Sequence, residues 1–193
     1  ARTAGDCPVD TVNWSPAMSF ANPVPSAEGR TRCYSLSGCS GTAGVDLACS
    51  SVPANTASGS VYDCEGYRLP TEAEWEKSAR GTAGALWAWG SQPPSCIEAN
   101  YRFINAYCGG GPLEVGSYAD LEASSTITPS ARSAWGLLDT VGNVWEWTAD
   151  WYDAGYYRVA ADTDPAGPTS CSLDVDTPRG ECRHRVVRGG AYN

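Results

Sequence analysis

The residues best placed to do chemistry are Asp139 and Glu146, which stand on either side of a Gly142-Asn143 turn. From Val144 onward the order apolar, Trp, Glu, Trp, Thr puts Trp145 and Trp147 on one face of an extended strand, with Val144, Glu146 and Thr148 on the other. One face carries indole and the other a carboxylate. A carboxylate pointing the same way as a valine is costly if buried alone, so Glu146 needs a cation, an arginine or several N–H donors. The side-chain oxygens of Asp139 and Glu146, joined by the backbone carbonyls of Gly142 and Val144, make an all-oxygen ligand set that suits a hard ion such as calcium. The competing arrangement seats Glu146 on an arginine and uses Asp139 to cap a turn.

Other reactive residue types offer less. His184 is the only histidine, flanked by Arg183 and Arg185. A Ser-His-Asp triad would have to use it, and no nucleophile elbow accompanies it, so a solvated or hydrogen-bonded role is expected. The acidic segments 162–168 and 174–176 lack the glycine and distal glutamate of an EF-hand loop and read as solvated turns. Nine cysteines in a Gly-, Ser- and Thr-rich chain, with no C-x-x-C spacing, indicate an oxidising compartment. Sequence neighbours suggest pairing Cys33 with Cys64, Cys39 with Cys49, Cys96 with Cys108 and Cys171 with Cys182, although spacing alone does not fix connectivity. Cys7 is then left over, as a free thiol or a link to a partner outside the chain.

These residues must be held by rather few regular elements. Residues 7–14 alternate like a short strand, after which Ser15 supplies an N-cap and Pro16 a first helical position for a helix to about Ala21, stopped by Asn22-Pro23. Residues 24–66 are rich in Gly, Ser, Pro and Cys, with only 33–36 strand-like, and read as a surface excursion held by disulfides rather than by a core. Thr71 to Arg80 is the clearest helix. Thr71 and Glu74 form a capping box after Pro70, Glu72, Glu74 and Glu76 serve the helix dipole, and Lys77 and Arg80 close the last turn before Gly81. Residues 119–134 form a polar loop back to Trp135.

Three runs resemble one known family. Residues 136–147 (GLLDTVGNVWEW) resemble the GLYDMxGNVWEW signature of the formylglycine-generating enzyme, or sulfatase-modifying factor, family. Residues 67–76 (YRLPTEAEWE) match another of its motifs almost letter for letter, and 185–192 (RVVRGGAY) resemble its RVxRGGSY/W ending. The resemblance implies an α+β domain of irregular, C-type-lectin-like build, with few helices, short antiparallel strands and long disulfide-stapled loops. It extends over residues 1–193, with 24–66 as a Cys-rich insertion. It also implies that 86–90 (LWAWG) form a buried aromatic turn, that 113–118 (LEVGSY) form a strand, and that Asn100 and the Tyr101 carbonyl help to bind a second calcium. The acidic ligand expected there is missing, since 105–109 offer no carboxylate and only Asn105 as a weak oxygen donor.

Composition excludes several partners. A net charge of -9, with one lysine against twelve arginines, leaves no basic face for nucleic acid or anionic lipid. No apolar run approaches the ~20 residues of a membrane span, and Ala1 opens no signal-peptide pattern, so the chain reads as mature or as a fragment. Family oxidases place two copper-holding redox cysteines shortly after RGGSY, and soft thiolates suit Cu(I). Both positions lie beyond Asn193. The leftover Cys7 implies a single missing partner, and the expected function is a calcium-stabilised binding or structural module of an extracellular, periplasmic or cell-surface setting. Its ligand, protein or glycan, is unidentified, and an assembly partner could attach through Cys7 or a missing C-terminus. The alternative is a copper-dependent formylglycine-generating oxidase. A third possibility, an iron-dependent sulfur-transfer enzyme, needs a histidine-rich site that a chain with one histidine does not supply.

Overall fold

The computed structural model describes residues 6–22, 29–43, 46–82, 84–104, 106–118, 131–168 and 184–193. The chain divides into two compact units, one drawn from 1–10, 74–146 and 187–193 and the other from 11–73 and 147–186. The expected α+β class holds: among the described residues the strands pair only in two-stranded sheets. Long ordered loops carry the rest of the fold, which is the irregular C-type-lectin-like build.

In the second unit, helix α1 (Trp14–Ala21) starts one residue before the expected Ser15, because Asn13 in an extended conformation is its N-cap and makes no side-chain cap bond. Pro16 falls inside the first turn, where its missing N–H costs nothing. The helix buries Met18 against Cys33 and Tyr34, with Leu36, Val52 and Leu69 packed around them. Asn22 closes the helix and reaches across to Tyr34. Its Nδ2 donates to the Tyr34 carbonyl at 2.9 Å, and its Oδ1 accepts the Tyr34 N–H at 3.1 Å.

The excursion over 24–66 is therefore not held by disulfides alone, since Cys33 and Tyr34 are core residues. The expected strand at 33–36 is also displaced. Regular pairing lies in β1 (Ser37–Ser40) and β2 (Ala48–Ser51), antiparallel, with Cys39 opposite Cys49. Only Tyr34 of the earlier run makes a bridge, to Ala54. The hairpin does fit the original picture, because most of its residues are exposed and the Cys39–Cys49 disulfide staples it. Cys33–Cys64 ties the base of the excursion to the residues before the second helix.

Helix α2 (Glu72–Arg80) lies where the capping signals place it. A short antiparallel pair follows, β3 (Arg102–Phe103) with β4 (Ala106–Tyr107). Strand β5 (Glu146–Trp151) alternates as expected, with Thr148 and Asp150 buried on the Glu146 face, and it is hydrogen-bonded to β6 (Arg185–Arg188). Asp150 supplies a cap that local sequence does not reveal: its Oδ2 accepts the Glu72 N–H at 2.7 Å. Arg185 lies between the Trp14 and Trp151 rings, 3.7 and 3.4 Å from their centroids, and donates to the Ala149 carbonyl at 2.7 Å.

Burial pushes the Asp150 carboxyl up from 3.8 to about 6; the Glu72 N–H and the Arg185 charge oppose that rise, and the Glu72 charge adds to it. A folded-state value above the ordinary one means that Asp150 contributes most to stability below its unfolded pKa. That contribution is lost as pH rises through about 6. Chemical denaturation should therefore give a midpoint that falls more steeply between pH 5 and 7.5 in the wild type than in Asp150→Asn. The amide keeps the acceptor for Glu72, so parallel curves would contradict the assignment.

Candidate functional site

In the first unit the site is built on the Gly142-Asn143 turn. Both residues have left-handed backbones, with φ of 82° and 65°. Glycine is required at 142 because a Cβ there would lie 2.3 Å from the Asn100 carbonyl oxygen. Asparagine tolerates the conformation at 143 and also uses its side chain. Asn143 Nδ2 donates to the Leu113 carbonyl at 3.2 Å, and its Oδ1 accepts the Leu113 N–H at 2.9 Å. Its own N–H donates to the Asn100 carbonyl at 2.6 Å, and its carbonyl accepts the Tyr192 N–H at 3.0 Å. Gly142 N–H reaches the Gly189 carbonyl at 2.8 Å. One turn thus gathers three distant segments, around Asn100, Leu113 and the terminal 189–192.

The two predicted carboxylates sit beside this turn. Asp139 Oδ2 accepts the Gly116 N–H at 2.6 Å, which turns Val115–Tyr118 back on itself in place of the expected strand at 113–118. Glu146 Oε2 accepts the Trp75 indole N–H at 2.5 Å, so its protein partner is an indole from α2 and not the arginine of the competing arrangement. Burial pushes the Glu146 carboxyl up, the Trp75 bond partly offsets this, and the Asp139 charge pushes it further. Each carboxylate spends one oxygen on its N–H donor, and among the described residues Asp139 Oδ1 and Glu146 Oε1 have no donor. A cation would relieve both the crowding of charge and the unused oxygens. Among the described residues no three His, Cys, Asp or Glu side chains cluster, so a bound ion would need carbonyls as well, as the set with Gly142 and Val144 supplies.

The Asn100 region has one feature of its own. Asn100 is buried, and its Nδ2 donates to the Gly111 carbonyl at 2.9 Å, while its Oδ1 has no hydrogen-bond partner. A Cβ on Gly109 would come within 2.7 Å of that oxygen. The Tyr101 carbonyl accepts the Cys108 N–H at 3.1 Å, and its hydroxyl donates to the Pro94 carbonyl at 2.6 Å. Asn105 lies outside the described residues.

Of the suggested disulfides, Cys33–Cys64, Cys39–Cys49 and Cys96–Cys108 are formed. Cys171 and Cys182 lie outside the described residues, as does the acidic segment 174–176. Cys7 is half-buried and has no disulfide partner among the described residues. His184 is exposed at the start of β6, and its carbonyl accepts the Tyr152 N–H at 2.9 Å. The 86–90 segment does turn, through a Trp87–Gly90 bridge with Trp87 and Trp89 stacked 6.2 Å apart, but it is only half-buried and Leu86 is exposed.

Sequence reasoning did not single out Asn143, Trp75 or Thr140. The Gly-Asn dipeptide signals a turn but not the distant partner of its side chain. Gly189 brings the terminal motif beside the Thr140 carbonyl and the Trp75 ring, and its φ of 90° is what favours glycine there.

Comparison with known proteins agrees with this architecture. Residues 1–193 match the family described as "Sulfatase-modifying factor enzyme 1-like domain". The formylglycine-generating enzyme of Streptomyces coelicolor is 39% identical over 130 residues, covering 66% of this chain and 36% of that protein. The mouse protein named inactive C-alpha-formylglycine-generating enzyme 2 is 33% identical over 181 residues, covering 90% of this chain and 52% of its own. Treponema denticola variable protein 1 superposes with a TM-score of 0.57 at 25% identity, covering 100% of this chain and 62% of that structure. The chain thus spans between a third and about half of the length of the two curated relatives.

Asn143 should dominate the stability of this site. Asn143→Ala loses three side-chain hydrogen bonds, two with Leu113 and one from Asn100 Nδ2, and strains a left-handed residue, so urea denaturation should register a loss of about 2–4 kcal/mol. A loss below about 1 kcal/mol, the worth of a single ordinary hydrogen bond, would contradict the central place given to it.

Proposed function

This chain belongs to the sulfatase-modifying factor enzyme 1-like family, and from that premise we propose that it is a calcium-stabilised, disulfide-bonded binding module of an extracellular, periplasmic or lumenal compartment. The observation that carries this reading is the state of the cysteines. Six of the seven described cysteines are closed in pairs that staple loops, as an oxidising compartment requires, and Cys7 has no partner among the described residues. The long match to a mouse relative named as inactive is in keeping with a family fold used without the oxidase chemistry.

Calcium is proposed at Asp139 and Glu146, with the carbonyls of Gly142 and Val144. The support is a pair of neighbouring carboxylates, one of them pushed up by burial and by the other's charge, and each with an oxygen that no described donor takes. The ion would be structural, fixing the turn between α2 and the terminal motif by binding the folded state alone. The orphaned Asn100 Oδ1 supports a weaker second position shared with the Tyr101 carbonyl.

The alternative is copper-dependent oxidation of a sulfatase cysteine, favoured by the 39% identity to the Streptomyces enzyme. Thiolates would supply the soft ligands for Cu(I), and the protein's part would be to hold them free to cycle.

Two measurements separate these readings. Chelation should lower the melting temperature by several degrees, with calcium restoring it, since ligand at about 100 times its Kd contributes about 2.7 kcal/mol. Asp139→Asn and Glu146→Gln should lose that response, and a melting curve indifferent to chelator would remove calcium from the account. Incubation of the full-length native protein with Cu(I), oxygen and a cysteine-containing sulfatase peptide should leave the peptide mass unchanged. Formation of formylglycine would replace the module reading with the oxidase.

A further inference from the structure

Two grooves in the second unit, of about 420 and 450 Å³, meet at Arg185 and share Trp14, Val52 and Trp151 with it. One passes residues 49–53, and the other is walled by Val61, Ala166 and Pro168. Among the described residues Arg185 is the only charged one in either lining. Its guanidinium is clamped between the Trp14 and Trp151 rings and gives Nη1 to the Ala149 carbonyl. Nε is buried without a partner and is closed to any ligand. Nη2 also lacks a partner among the described residues, but it is not one of the enclosed atoms. No described carboxylate forms an ion pair with this cation. Asp150 acts on it through space alone, is itself buried, and spends Oδ2 on the Glu72 N–H.

A half-buried cation without a counter-ion costs free energy. Burial lowers the Arg185 guanidinium to about 10, and the charges of Asp150 and Tyr34 only partly oppose that fall. In a chain of net charge -9, the junction is thus a single positive group set in apolar walls. The complementary ligand brings one negative charge for the guanidinium and an apolar body for the half-buried indole, valine and proline surfaces around it. We propose that the junction of the two grooves binds an apolar monocarboxylate, its carboxylate on Arg185 Nη2 and its body along Val52, Val61 and Pro168. A dianion such as a phosphate ester would bring a second charge that no lining residue meets. The same chemistry comes from a small hydrophobic acid or from the C-terminal carboxylate of a peptide ending in an apolar residue.

The inference rests on the binding-module reading and names its ligand class, but it fails separately. Formylglycine formation removes that reading whatever binds here, whereas a silent junction removes only this assignment. The test titrates the full chain with octanoate, octanamide, inorganic sulfate, and the peptide acetyl-Ala-Ala-Phe with its C-terminus free or amidated, followed by tryptophan fluorescence and calorimetry. At least one of the two acids should saturate and bind at least about tenfold more tightly than its amide, with sulfate failing to compete. Whichever acid binds more tightly tells the small-molecule source from the peptide end. Ala166→Glu, an exposed change on the groove wall, should weaken the acid about fivefold or more at an unchanged melting temperature. Arg185→Gln should abolish the preference for acid over amide. That variant also loses a ring stack, so where it does not fold, Ala166→Glu and the wild-type ratio of acid to amide decide. No saturation by either acid, equal affinity for acid and amide, sulfate binding as tightly as the acid, indifference to Ala166→Glu, or a folded Arg185→Gln that keeps the preference would each overturn the proposal.

Discussion

A buried backbone amide or carbonyl outside a helix or sheet must find a partner elsewhere, and this constraint governs a chain with so little regular structure. In the first unit the partner is the Asn143 side chain, which pairs with both backbone groups of Leu113. In the second unit Asn22 does the same for Tyr34. Each amide imitates one rung of a sheet where no sheet runs. An aspartate would lose the donor and an aliphatic residue both bonds, so the fold depends on amide chemistry at these two points.

Guanidinium–indole stacking is the second recurring device. Arg185 lies between Trp14 and Trp151, and Arg188 lies over Trp75 while it also binds Glu76. A planar, weakly hydrated cation suits a partly buried position between rings far better than an ammonium does. The bias of twelve arginines to one lysine has a structural use here beyond net charge. Residues from the end of the chain enter the site through the same motif: Arg188 lies over Trp75, and Gly189, with a left-handed φ of 90°, packs beside Trp75 and Thr140.

Much of this was legible in the sequence where the signal is local. The α2 helix follows from its proline, acidic first turn and basic last turn, and strand β5 follows from period-two alternation. The disulfides among the described residues fall between sequence neighbours. What escaped is non-local. Nothing near Asp150 indicates that it caps a helix 78 residues away, and nothing near Glu146 names Trp75 as its donor. The 113–118 run has strand-like residues, yet Gly116 at φ 73° and the pull of Asp139 turn it. Of the excursion, composition told the exposed, disulfide-stapled character but neither the strands at 37–40 and 48–51 nor the burial of Tyr34, which becomes core through partners outside it.

The first unit joins these threads: a turn fixed by Asn143 holds two carboxylates in place for a cation. The loops around this turn, held by side-chain and isolated backbone bonds more than by strands, are rigid there. Native-state hydrogen exchange with calcium present measures this amide by amide. The account predicts that the N–H groups of Leu113, Gly142, Asn143 and Tyr192 exchange only through global unfolding, with protection equal to that of the α2 interior. Exchange of these four amides at the rate of an exposed loop, while α2 remains protected, would contradict it.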